Sequence, residues 1–359
     1  MYRSLLFKSI GDLFYRIIHK GILVVVVSLL LAQSGCKLDT ITTGSVNDDV
    51  YIKQKNQSLF LKVAGYVGSR KLLLIVHGGP GGNSLDYRDA LVTESLEKEI
   101  AVAYWDQRNS GKSQGNGGDK GLEAYRDDFV TIVKYLKAKY GEDLQIYVMG
   151  HSWGGFLTPY FLGYERNQDL VKGWIQVDGA HNYPMNDSLT QDMLYKRAEY
   201  EIKFNTDSSK AARWQAIFDY CKSHDLSQGY DVSVQLNQFA YDAESYIDSV
   251  NSPVNFSRYE ESASYKHNDF NGAVSGILRI DEPTYSVNPD SYLGKIQIPT
   301  LMLWGRFDFV CPKMLSDDLW GKIGSSDKTR IIFDHSGHSP MVNEPYLFWT
   351  TVLEWISQH

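Results

Sequence analysis

The chain has 359 residues, with 36 Lys and Arg against 43 Asp and Glu, for a formal net charge of −7 at pH 7. That balance argues against a nucleic-acid partner, and three cysteines are too few for a disulfide framework. The length suits one large sheet domain carrying an insertion.

At the N-terminus, Arg3, Lys8, Arg16 and Lys20 precede the apolar run 22–32. The run is too short to cross a hydrocarbon core of about 30 Å as a helix, but it suits the apolar stretch of a signal peptide. Export is therefore expected. Gln33-Ser34-Gly35-Cys36 resembles a bacterial lipoprotein processing site, with Gln33 where such sites usually carry Leu. On that resemblance Cys36 is expected to be lipidated and the protein anchored at a membrane of the bacterial cell envelope, the alternatives being an uncleaved anchor and a plain secreted protein. Residues 1–36 are then a lipoprotein signal, and 37–49, polar and without apolar period, a flexible tether.

From residue 50 the pattern becomes that of a folded domain. Residues 50–55 and 59–68 predict an antiparallel hairpin, and apolar runs predict strands near 72–76, 100–105, 144–149, 171–177, 299–304 and 330–333. Helix-spaced segments at 121–140, 155–164 and 344–357 lie between and after them. The expectation is an α/β fold: an eight-stranded, mostly parallel sheet covered on both faces, with its site at the C-terminal strand ends.

Four strand ends carry chemistry. His77-Gly78-Gly79-Pro80-Gly81 follows the first parallel strand; its bare glycine amides suit an oxyanion loop, because backbone N–H groups stabilise charge developing on a carbonyl oxygen. Gly150-His151-Ser152-Trp153-Gly154 reads as a nucleophile elbow, a sharp strand-to-helix turn that exposes a serine. Asp308 and His338 each follow a later strand. A serine hydroxyl needs an imidazole to take its proton, and the imidazole needs a carboxylate to hold its tautomer. Ser152, Asp308 and His338 are thus the candidate triad, with the N–H groups of Gly79 and Trp153 as oxyanion donors. The chain order Ser, Asp, His is that of α/β-hydrolases.

Each position has a rival. His335 precedes His338 by three residues, Asp334 is read as a solvated loop carboxylate, and Asp178 is an alternative acid. His151 and His77 are read as hydrogen-bonding residues rather than bases. Asp106 and Arg108 could pair with each other or with backbone groups, bracing the oxyanion loop beside them. No His-x-x-x-His or Cys-x-x-Cys spacing occurs, so no metal or other cofactor is expected.

Taken together these motifs resemble the prolyl iminopeptidase group of serine aminopeptidases within the α/β-hydrolase fold. The resemblance rests on His77-Gly78-Gly79-Pro80-Gly81, Asp106-Gln107-Arg108-Asn109-Ser110-Gly111, Gly150-His151-Ser152-Trp153-Gly154-Gly155, Gly305-Arg306-Phe307-Asp308 and Ser336-Gly337-His338. Asn109 and His151 replace glycines of the family pattern. The resemblance implies a metal-free serine hydrolase releasing N-terminal residues, proline among them, from short peptides. A carboxylesterase acting on small acyl esters uses the same machinery and stays open, as does a catalytically silent binding protein of the same fold.

The stretch 182–295 is far longer than an ordinary α/β connection. Helix-spaced apolar residues at 195–204, 211–223 and 232–250 predict a helical cap inserted after the sixth strand, between core segments 50–181 and 296–359. The resemblance implies cap carboxylates that hold a substrate's amino terminus. Glu199, Glu201, Glu244, Glu260 and Glu261 are available, and Trp214, Tyr220 and Tyr246 serve either a pocket or a core. Cys221 and Cys311 are expected to be unpaired.

Overall fold

The computed structural model describes residues 44–55, 57–115, 121–205, 207–226, 230–254 and 287–359. The expected signal peptide, Cys36, and Glu260 and Glu261 of the cap lie outside the described residues.

The sheet contains β1 (Ser45–Gln54), β2 (Gln57–Tyr66), β3 (Lys71–Val76), β4 (Ala101–Trp105), β5 (Gln114–Gly115), β6 (Gln145–His151), β7 (Gly173–Val177), β8 (Thr300–Gly305) and β9 (Lys328–Phe333). Their order is β1-β2-β4-β3-β6-β7-β8-β9, with the two-residue β5 beside β2. β2 runs antiparallel to β1 and β4, and every pairing from β4 to β9 is parallel. The eight long strands are those expected, with one correction. β1 begins at Ser45, so 45–49 belongs to the sheet and not to a tether: Lys62 Nζ donates to Asp49 at 2.8 Å and Tyr140 Oη to Asp48 at 2.9 Å.

Continuous apolar strands arise because both faces are covered. Leu72, Leu74 and Val76 of β3 point into one core with Tyr125, Phe129 and Leu136 of the helix Leu122–Tyr140. Leu73 and Ile75 point into the other, with Phe348, Val352 and Ile356 of the helix Pro345–Gln358. A slip of one residue would exchange the two sets, so the register is fixed.

The cap follows β7, the sixth of the long strands. Its helices are Tyr183–Phe204, Ser208–Ser223 and Tyr230–Tyr246. The first starts twelve residues before the expected 195, capped by the Asn182 side chain, which accepts from Met185 N, with Pro184 in the first turn. The third ends at Tyr246, short of the expected 250. Leu194 and Ala198, Trp214 and Ile217, and Leu236, Ala240 and Ala243 are buried at helical spacing. Trp214 is core rather than pocket, its ring edge against Tyr246 at 5.6 Å. Among the described residues no helix is long and apolar enough to cross a membrane.

Candidate active site

β6 delivers Ser152 at a corner: its φ of 57° and ψ of −119° are costly for a side-chain-bearing residue, by about 1–3 kcal/mol. Surrounding bonds hold it there. Ser152 N donates to Val177 O at 3.1 Å, and its carbonyl accepts from Gly155 N at 2.9 Å. The helix Trp153–Leu162 starts at the next residue. A Cβ on Gly154 would collide with the Val76 carbonyl, so only glycine lets this helix seat against β3.

β8 and β9 deliver the candidate acid and the candidate base. Asp308 is fully buried; one oxygen accepts from Val310 N at 2.8 Å and Cys311 N at 2.7 Å, the other from His338 Nδ1 at 3.0 Å. Burial, reinforced by the charge of Glu244, pushes the Asp308 carboxyl well above its usual range. Burial also lowers the His338 pKa, against the pull of Asp178 and Glu244. A neutral His338 then carries its proton on Nδ1, toward the carboxylate, and a free lone pair on Nε2. Among the described residues Nε2 has no hydrogen-bond partner, so Ser152 Oγ is not bonded to it in this state. Such contacts are often long in unliganded sites and tighten around substrate.

Of the rivals, Asp178 stays at the site, whereas His335 and Asp334 have other partners. Asp178 lies buried beside Asp308, one oxygen accepting from Gly305 N at 2.9 Å, and its carboxyl is pushed well above normal by burial and by Asp308. His335 is exposed and contacts Ser249 O at 3.1 Å, while Asp334 pairs with Arg306 at 2.7 Å in solvent.

The oxyanion loop is braced from behind. Gln107 N donates to His77 Nε2 at 3.1 Å, Gln107 Nε2 donates to His77 O at 2.9 Å, and Trp153 Nε1 donates to Gln107 Oε1 at 2.8 Å. Gln107 thus joins the loop to the elbow. Asp106 and Arg108 do not pair with each other. Asp106 accepts from Ser84 N, Ser84 Oγ and Lys112 N at 2.6–2.8 Å, and Arg108 makes a buried two-pronged pair with Asp128 at 2.7 and 2.8 Å. Gly78 lies against the serine: a Cβ there would sit 3.2 Å from Ser152 Cβ. Gly79 has φ 131°, a conformation that favours glycine, and Pro80 and Gly81 complete the turn. No hydrogen bond among the described residues engages the amides of Gly79 or Trp153, leaving both available to a ligand oxygen.

The cap reaches this centre in two places. Glu244, on the third cap helix, accepts from Phe309 N at 3.1 Å and His338 N at 3.0 Å. Asp187, on the first, is 8 % exposed, with its Oδ2 unpartnered among the described residues and its carboxyl raised by burial to about 6. One turn further, Thr190 Oγ1 donates to Val310 O at 3.3 Å, and Asp187 lies close enough to influence Cys311 and Tyr183. Tyr241 sets its ring edge-on to His338 at 5.8 Å. Of the other cap glutamates, Glu199 is exposed and Glu201 pairs with Arg197 at 2.5 Å. Asp187, Gln107 and Tyr87, whose hydroxyl accepts from Gly78 N at 3.1 Å, escape motif reasoning, although Gln107 lies inside the Asp-Gln-Arg segment.

Asp308, Cys311 and His338 bring potential metal-ligating atoms within 4.8 Å of one another. The chemistry fits a triad better. Asp308 already accepts three hydrogen bonds, and burial raises the Cys311 thiol well above its usual range, keeping it protonated. Cys221 and Cys311 are both free and buried.

A half-buried serine at a strained elbow, with a carboxylate and an imidazole after later strands, is the arrangement of a hydrolase-type α/β sheet. Residues 71–345 match the family described as alpha/beta hydrolase fold, and the chain belongs to that family. It is similar to the probable aminopeptidase YbaC of Bacillus subtilis (strain 168), 22% identical over 311 residues, covering 85% of this chain and 94% of the relative. A proline iminopeptidase of Saccharolobus solfataricus is 24% identical over 311 residues, covering 84% of this chain and 89% of the relative. Among solved structures, an esterase from Exiguobacterium antarcticum superposes with a TM-score of 0.56 at 17% identity, covering 86% of this chain and all of that one.

Proposed function

We propose that this protein is a serine hydrolase of the aminopeptidase kind, releasing N-terminal residues, proline among them, from short peptides. The observation that carries the reading is the His338 Nδ1–Asp308 contact of 3.0 Å, which leaves a buried, unpartnered Nε2 as proton acceptor. In this mechanism Ser152 Oγ attacks the scissile carbonyl as its proton passes to His338 Nε2. Asp308 stabilises the imidazolium, and the N–H groups of Gly79 and Trp153 hold the oxyanion. His338 then protonates the leaving amine, and water repeats the sequence to release the acyl group.

The peptidase reading is supported by the two relatives named as aminopeptidases and by the acidity of the cap. A buried carboxylate without a cationic partner is costly unless something offsets it, and a substrate ammonium is a suitable partner for Asp187 and Glu244. A carboxylesterase is the second reading, favoured by the backbone N–H groups already occupying both Glu244 oxygens and by the esterase among the structural neighbours. Turnover of prolyl-naphthylamide against short p-nitrophenyl esters separates the two. Amide turnover abolished by Ser152→Ala supports the peptidase; strong ester turnover without amide turnover sinks it. A Ser152 that no fluorophosphonate probe labels would indicate the silent binding protein.

Export and lipid anchoring at Cys36 belong to the same proposal, resting on the sequence before Ser45. Loss of metabolic palmitate labelling in Cys36→Ala is the expected result, and a wild-type protein without label refutes it.

A further inference from the structure

One side chain of the elbow motif has no part in the mechanism above. His151 is 8 % exposed, and both of its ring nitrogens are occupied. Nε2 lies 2.8 Å from the His338 carbonyl, which can only accept, so Nε2 carries the proton. Nδ1 lies 2.6 Å from Tyr87 Oη, so in the neutral ring the phenol donates to it. Tyr87 Oη in turn accepts from Gly78 N at 3.1 Å. A single chain of hydrogen bonds thus runs from the oxyanion loop through Tyr87 and His151 to the backbone of the base.

The direction of the chain is fixed. Burial lowers the His151 pKa to about 3 and raises that of the Tyr87 phenol, so the imidazole stays neutral and the phenol stays a donor. Neutrality is needed here, because the His151 and His338 rings are 4.9 Å apart between centroids and a second cation would oppose formation of the His338 imidazolium. Tyr87 occupies the Gly78 amide, whereas the next amide, Gly79, has no partner among the described residues. The candidate oxyanion donor and base lie on different loops of the sheet, and this chain links them.

We propose that His151, with Tyr87, is a positioning residue that sets the base loop against the oxyanion loop, an inference resting on the serine-hydrolase reading of Ser152. Its test is the rate of Ser152 labelling by a fluorophosphonate, which reports nucleophile activation and oxyanion geometry without presuming a substrate. In the full chain, His151→Ala and Tyr87→Phe should each lower the maximal labelling rate by about tenfold or more, with the half-saturating concentration unchanged within about threefold. His151→Gln, which keeps one acceptor and one donor, should recover much of the loss. The double variant Tyr87→Phe/His151→Ala should be no slower than the slower single variant, since both break one chain.

Maximal rates within about twofold of wild type in both single variants would overturn the inference, as would additive losses or losses confined to half-saturation. Tyr87→Phe preserves the ring and carries the test if His151→Ala does not fold. A wild-type protein that is not labelled at Ser152 overturns the nucleophile reading and this inference together; a labelled wild type with unaffected variants overturns this inference alone.

Discussion

Glu244 Oε2 accepts the backbone N–H of His338 at 3.0 Å, while its other oxygen takes that of Phe309, the residue after Asp308. One cap side chain therefore clasps both the acid loop and the base loop, so cap docking and triad alignment are coupled. Removing the clasp strands two partly buried donors, each costing about 1–3 kcal/mol. Glu244→Ala should lower kcat by about ten- to hundredfold, and Glu244→Gln, whose amide nitrogen cannot accept, should fall between it and wild type. Steady-state kinetics with thermal melts of each variant check this, and wild-type kcat in Glu244→Ala would remove the coupling.

Replacing the serine separates chemistry from strain. Ser152→Ala and Ser152→Gly should both abolish turnover and phosphonate labelling. Only glycine relaxes the φ of 57°, so Ser152→Gly should melt above Ser152→Ala, reflecting relief of about 1 kcal/mol or more. Equal melting temperatures would mean that the corner is held without cost.

Asp187 offers a trade of stability for function. Its folded pKa of about 6 lies above its ordinary value, so the native state binds the proton more tightly than the unfolded chain does. Stability from this group is complete at low pH and is lost as pH rises through about 6. Asp187→Asn should therefore raise Tm by a few degrees at pH 8 and leave it unchanged near pH 3. If Asp187 meets the substrate's ammonium, the same variant raises KM for amines but not for neutral esters. Parallel melts and kinetics across pH decide both points.

The acid limb of activity should follow His338. Its pKa is lowered from the usual 6.5, and in the proposed mechanism the neutral ring is the base, so kcat/KM should hold through pH 6.5 and fall only below it. His151 acts on stability with the same sign. Its folded pKa of about 3 lies below the unfolded value, so its contribution is present above pH 6.5 and is lost as pH falls toward 3. A pH–rate profile beside a pH–melting profile distinguishes the two histidines.

The strands were legible because runs such as 72–76 are apolar on both faces and end in glycine-rich turns, and the loop motifs lay at their C-terminal ends. The first cap helix was half hidden. Its early buried residues are Asn186, Asp187 and Thr190, which are polar, and the apolar Met185, Leu189 and Met193, four residues apart, are only partly buried, so the apolar stripe before residue 194 is narrow. β1 was shortened for a related reason: it is an edge strand whose burial alternates between exposed and intermediate, and Asp48 and Asp49 look like linker until Tyr140 and Lys62 are seen to claim them. Glu244 was visible only as one glutamate among several. Its partners are backbone amides 65 and 94 residues away, and spacing along the chain gives no sign of them.

Arg108 and Asp128 carry one further consequence. Each is buried, and each is the other's counter-charge across twenty residues of sequence. Replacing one breaks this buried pair, whereas replacing both with apolar side chains of similar volume is far better tolerated. Divergence at this loop should therefore proceed by linked exchanges, and the ancestry of the segment behind the oxyanion turn should be traceable in the helix Leu122–Tyr140 that carries Asp128.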